Sequence, residues 1–200
     1  MTIRRSMILL ATASLTMLAA CNKSPVTEAS RTDTAAKPDA SAAAKSTDPI
    51  ESALAAAPAS IGKDAKIVAM KADGSMSVLR EGANGWTCMG DNPATPGADP
   101  MCMDANAMKW AEAWIGHKPP PADNVGLMYM LAGGSDASNT DPWGKQPKDG
   151  GKWVETGPHV MVVGSDSLNK LYPAGGDPDT SKPYVMFGGT PYAHVMMPIG

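Results

Sequence analysis

Two tripeptides repeat the same pairing of side chains, His159-Val-Met161 and His194-Val-Met196. Alternate residues of a strand share a face, so each would set an imidazole beside a thioether. If the two strands pair in register, two nitrogens and two sulfurs converge into a soft donor set suited to Cu(I). The plainer explanation is that Met161 and Met196 are core residues and that the histidines hydrogen-bond to backbone. A second cluster is the loop Gly133-Gly-Ser-Asp136-Ala-Ser138-Asn139-Thr140-Asp141-Pro-Trp143. Asp136, Ser138, Asn139 and Asp141 offer oxygens to a ligand, yet their spacing is not that of a calcium-binding EF-hand. Asx and Ser turns account for the same composition. Trp143, between Pro142 and Gly144, either stacks on a sugar or peptide or folds back onto the core. Glu155 precedes His159 by four residues, a spacing that would allow an acid–base pair. No nucleophile elbow, metalloprotease helix, phosphate loop or dinucleotide fingerprint occurs, so the reading leans away from an enzyme.

These residues must be held by elements whose ends are legible. Lys66–Lys71 and Ser75–Arg80 flank Asp73-Gly74, and Asn84-Gly85 leads into Trp86-Thr-Cys88, which predicts a three-stranded meander. Asp104 is placed to cap a helix that Gly116 and Pro119-Pro-Pro121 end. Met103, Ala107, Trp110 and Trp114 recur on one side of it, while Asn106, Lys109 and Glu112 stay polar. Val125–Leu131 is a continuous apolar run, the pattern of a strand covered on both faces. Later runs begin at Pro158, Pro183 and Pro191, where a missing donor falls outside the ladder. The expected class is α+β, mainly an antiparallel sheet with one main amphipathic helix at about 104–115 and many Gly/Pro-rich loops.

Cys88 and Cys102 enclose a stretch of turn residues that cannot fold alone. Outside the cytoplasm a disulfide is the expected state, worth about 3 kcal/mol in the chain-entropy model. The spacing lacks a zinc-ribbon or CxxC pattern. Export is expected because Arg4-Arg5 precede an apolar run, Met7 to Ala20, too short to cross about 30 Å of hydrocarbon. The run closes with Leu18-Ala-Ala-Cys21, which resembles the bacterial lipoprotein lipobox. That resemblance implies a signal peptide over residues 1–20, lipidation of Cys21 and membrane attachment through acyl chains. Asn22 follows where such signals carry Asp for inner-membrane retention, so the outer membrane is the expected location, its leaflet open.

Residues 21–60 are rich in Ala, Ser, Thr and Pro and are expected to form a disordered tether spanning on the order of 35 Å. Residues 61–200 then make one globular domain, which holds all 20 glycines. The single phenylalanine leaves the 12 of the 15 methionines that lie after Ser60 as the obvious core filler. The stretches GWTC, DNPATPG, DPMC, GGSDASNTDP, PHVMVV and GTPY followed by His-Val-Met together resemble a group of uncharacterised secreted or lipid-anchored bacterial proteins. The resemblance runs from about Trp86 to Pro198 and implies architecture without an activity.

With 17 Lys+Arg against 20 Asp+Glu, the chain has no basic surplus for a nucleic-acid partner. The expected function is an envelope binding or interaction module with an unidentified ligand or protein partner. A copper protein using the His-x-Met strands is the alternative, followed by an extracytoplasmic hydrolase gathering Glu155, His159 or His194 and the 133–141 loop.

Overall fold

The structure, a computed structural model, describes residues 44–199. The expected signal peptide, Cys21 and the tether up to residue 43 lie outside the described residues. Among the described residues the order is α1 (Pro49–Leu54), α2 (Ala59–Gly62), β1 (Lys66–Met70), β2 (Met76–Arg80), β3 (Thr87–Met89), β4 (Met101–Met103) and α3 (Ala105–Ile115). There follow β5 (Gly126–Met130), β6 (Gly134–Asp136), β7 (Val154–Thr156), β8 (His159–Val163), α4 (Asp166–Asn169), β9 (Tyr184–Met186) and β10 (His194–Pro198). Eight strands form one sheet in the order β2-β1-β3-β4-β5-β8-β10-β9, antiparallel except for β1 against β3, and β6 pairs with β7 separately. The fold is therefore α+β, and α3 is its main helix.

Local signals place α3 where the capping residues put it. One Asp104 carboxylate oxygen accepts from the N–H groups of Asn106 and Ala107 at 3.0 and 2.7 Å. The other accepts from Leu127 of β5 at 3.0 Å, so the cap also ties helix to sheet. Ala107, Trp110 and Ala111 then bury against a methionine-rich face that includes Met103, Met128, Met130, Met161, Met186 and Met196. Cys88 and Cys102 are directly opposite across β3 and β4 and form a disulfide.

Three expectations change. The meander does not form: β3 lies on the far side of β1 and runs parallel to it. Gly82 lets the chain after β2 cross tightly over Ala65 and Lys66, where a side chain would strike backbone, and Ala83 donates to Asp64 at 2.9 Å. This route leaves β1 central, with Ile67 and Val68 buried, and β2 at the edge with Val78 exposed. Second, β5 is not covered on both faces, since Leu127 is 39% exposed. Two separate clusters cover that side, one around Ile67, the disulfide and Tyr129, the other around Val162, Val185 and Val195, and Leu127 belongs to neither.

The third change concerns residues 44–60, read from composition as tether. They are folded: Asp48 caps α1, and Ala53, Ala56 and Ala57 pack with Ile67 and the disulfide. Small side chains allow the approach. A Cβ on Gly90 would touch Ser52, whose hydroxyl donates to Ala44 O at 2.5 Å and accepts from Asp91 N at 3.0 Å. Leu131 N–H donates to Ala56 O at 2.9 Å, adding a backbone tie to the end of β5. Close packing and hydrogen bonds offset an ordering entropy that few large apolar groups could have offset.

Candidate functional site

The register brings the two His-x-Met strands side by side. β8 and β10 are antiparallel neighbours, and Met161 lies directly opposite Met196. The same row continues through Met128 and Met103 on one side and Tyr184 on the other, so four methionines sit in consecutive opposition across the sheet. The histidines share the face but not the row. His159 is opposite Met130 on β5 and Pro198 on β10, while His194 is opposite Met186 on β9. The expected thioethers come together, whereas the imidazoles lie on either side of that methionine pair.

Both rings are buried, His159 with 0% and His194 with 2% of its surface exposed. Each Nδ1 lies against a backbone carbonyl two residues earlier, Gly157 O at 2.7 Å and Tyr192 O at 2.9 Å. A carbonyl only accepts, so Nδ1 carries the proton and Nε2 the lone pair. Among the described residues neither Nε2 has a hydrogen-bond partner. Burial lowers the pKa of His159 against the opposing pull of the Gly157 carbonyl. Burial likewise takes His194 down to about 4, opposed by the Tyr192 carbonyl and helped by the charge of His159. Both rings are neutral at pH 7. Their surroundings differ: His194 is edge-on to Trp110 and Phe187, with centroids 5.1 and 5.4 Å away. His159 instead lies beside Met130 and Gly134, where a Cβ would come 3.4 Å from His159 Cε1 and 3.7 Å from Met130 Sδ.

The acid–base pair expected of Glu155 and His159 does not form. Glu155 is exposed on β7, and the Nδ1 proton of buried His159 is committed to Gly157 O. The loop oxygens do not gather either. Ser138 Oγ accepts from the N–H groups of Thr140 and Asp141 at 3.1 and 3.0 Å. One oxygen of Asp141 accepts from Trp143 N–H and the other pairs with Lys148, each at 3.1 Å. The side-chain amide of buried Asn139 donates to Gly175 O and Val185 O, and its backbone carbonyl accepts from Phe187 N–H at 2.7 Å. These contacts close turns and staple the loop to β9.

Asp136 belongs to another neighbourhood. It keeps some exposed surface, yet the protein crowding its carboxyl pushes it up to about 7, with Asp99 adding repulsion. Asp99 itself is pushed up to about 6, chiefly by burial. The nearby hydroxyls of Thr156 and Tyr184 bond to one another at 2.6 Å, and burial takes Tyr184 up to about 12.

Trp143 both folds back and remains accessible, at 42% exposure. His117 stacks on it with centroids 4.4 Å apart and planes 6° from parallel, and Tyr192 meets it edge-on at 5.2 Å. Trp143 Nε1–H donates to Trp114 O at 3.3 Å, and Trp114 Nε1–H donates to Pro142 O at 2.9 Å. The partnership with His117, 26 positions earlier in the chain, carries no local sequence signal. The left-handed backbone of His117, φ 52°, just past the end of α3, turns the ring onto the loop.

The hollows among the described residues include one of about 300 Å³ lined by Gly74, Met76, Glu112, Ile115 and Gly116 and one of about 280 Å³ flanking α4 and β9. Neither contains a residue of the expected sites. Among the described residues no three His, Cys, Asp or Glu side chains come together as metal ligands, and no helix is long and apolar enough to cross a membrane. No protein-family model, curated protein or solved structure matches the chain.

Proposed function

We propose that this chain is a lipoprotein of the bacterial outer membrane, cut before Cys21 and acylated there, whose folded part is a binding module. The Trp143–His117 face is its capture surface. The observation that carries this reading is an indole that is 42% exposed and yet held on three sides. A large ring already fixed in position loses little conformational entropy when a ligand covers it. The exposed part of this indole, with an imidazole stacked on it, offers flat aromatic surface to the apolar C–H face of a sugar ring, the chemistry that envelope glycans present.

Soluble fragments of envelope glycan titrated into the purified full chain test this reading. Saturable binding that Trp143→Ala weakens at least tenfold, with the melting temperature little changed, is the expected result. Equal binding by both proteins, or none by either, overturns it. The anchor is tested separately by radiolabelled palmitate, which Cys21→Ser should exclude from the chain.

A further inference from the structure

The geometry points to a buried Cu(I) centre built on His159 with the thioethers of Met130 and Met161. His159 is fully enclosed, and its proton sits on Nδ1 against the Gly157 carbonyl, which leaves Nε2 as an unpartnered lone pair. An orphaned buried acceptor costs about 1–3 kcal/mol; His194 Nε2 is orphaned in the same way, so what singles out His159 is the thioether and the side-chain-free glycine beside its ring. The imidazole of a metal-binding histidine is commonly oriented by just this second contact, an N–H given to a backbone carbonyl.

The neighbours of His159 supply sulfur. Met130 is directly opposite across β5 and β8, and Met161 lies two residues along on the same face. A methyl placed on Gly134 would fall 3.4 Å from the imidazole and 3.7 Å from Met130 Sδ, so ring and thioether converge where that glycine contributes no side chain. Unbranched methionines, with three rotatable bonds, close onto a small ion without moving backbone. One neutral imidazole and two neutral thioethers match a soft monocation. Calcium and magnesium need oxygens, and zinc favours thiolate, imidazole and carboxylate.

The structure therefore redraws the donor set that the repeated tripeptides suggest. His194 and Met196 fall outside it, because Trp110 and Phe187 meet the His194 ring edge-on. This centre does not depend on the glycan-binding face.

The purified full chain, equilibrated anaerobically against the Cu(I)–bicinchoninate complex, tests the assignment. One Cu(I) per chain is expected, with X-ray absorption showing one nitrogen and two sulfur ligands and no comparable retention of Zn(II). Loss of an orienting contact alone weakens metal sites about 10–100-fold, so removing the imidazole in His159→Gln should cost about 100-fold or more. Met130→Leu, close in volume and hence fold-preserving, should weaken binding about tenfold or more, whereas His194→Gln should leave it unchanged. Absence of Cu(I) on the wild-type chain, undiminished binding by Met130→Leu, or loss confined to His194→Gln would each overturn the proposal.

Discussion

The two His-Val-Met tripeptides have one sequence and two environments. In both, a strand sets imidazole and thioether on the methionine face, and in both the Nδ1 proton goes to the carbonyl two residues earlier. Around His194, Trp110 and Phe187 lie T-shaped to the ring with centroids 5.1 and 5.4 Å away. Around His159 lie a flexible thioether and a glycine. The shared part is what three residues of strand can dictate. The difference comes from which strands and loops stand opposite, and it separates a packed histidine from one with a ligand's geometry.

The widest test of the shared part is truncation of the paired thioethers. Met161→Ala and Met196→Ala should each lower stability by about 2–5 kcal/mol, read from denaturant midpoints, because both side chains are buried in the same row. A much smaller loss at Met161 would mean that its neighbourhood is loosely packed, and the comparison would then rest on packing density instead of ring environment.

Titration sharpens the contrast next. The folded pKa of His194, about 4, lies below its unfolded value near 6.5, so the unfolded chain takes up the proton first. The resulting stability is complete above pH 6.5 and is lost as pH falls through 4, on the order of 3 kcal/mol. His194→Gln should flatten that limb of a stability–pH curve. Asp136 has the opposite sign: its folded pKa of about 7 exceeds the unfolded 3.8, so its favourable contribution is complete below 3.8 and disappears as pH rises through 7. Asp136→Asn should therefore stabilise the protein at pH 8 by on the order of 4 kcal/mol and leave it little changed at pH 4. A curve that keeps its acid limb in His194→Gln would assign that limb to another group.

The smallest expected effect separates the two rings most directly. Gly134→Ala places a methyl 2.9 Å from Met130 Cε, a contact that a flexible thioether relieves at about 1 kcal/mol. Its NMR signature should be a shift in the His159 ring signals with those of His194 unmoved. Shifts at both rings would mean that the methionine row transmits the change and that the two environments are not independent.

Local chemistry in the sequence was enough for the capped helix from Asp104 to Gly116, the turn at Asp73-Gly74, the pairing of Cys88 with Cys102 and the common face of each histidine with its methionine. Each depends on spacing within a short segment or on the only cysteine partner in the domain. Tertiary structure alone decided that β3 runs parallel to β1, that Ala53, Ala56 and Ala57 are core, and that Trp143 stacks on His117. It also decided that His159 faces Met130 while His194 faces Met186. A strand's own residues set which way its side chains point, whereas the partner across the ladder is chosen by the packing of the whole sheet, to which segments far apart in the chain contribute together.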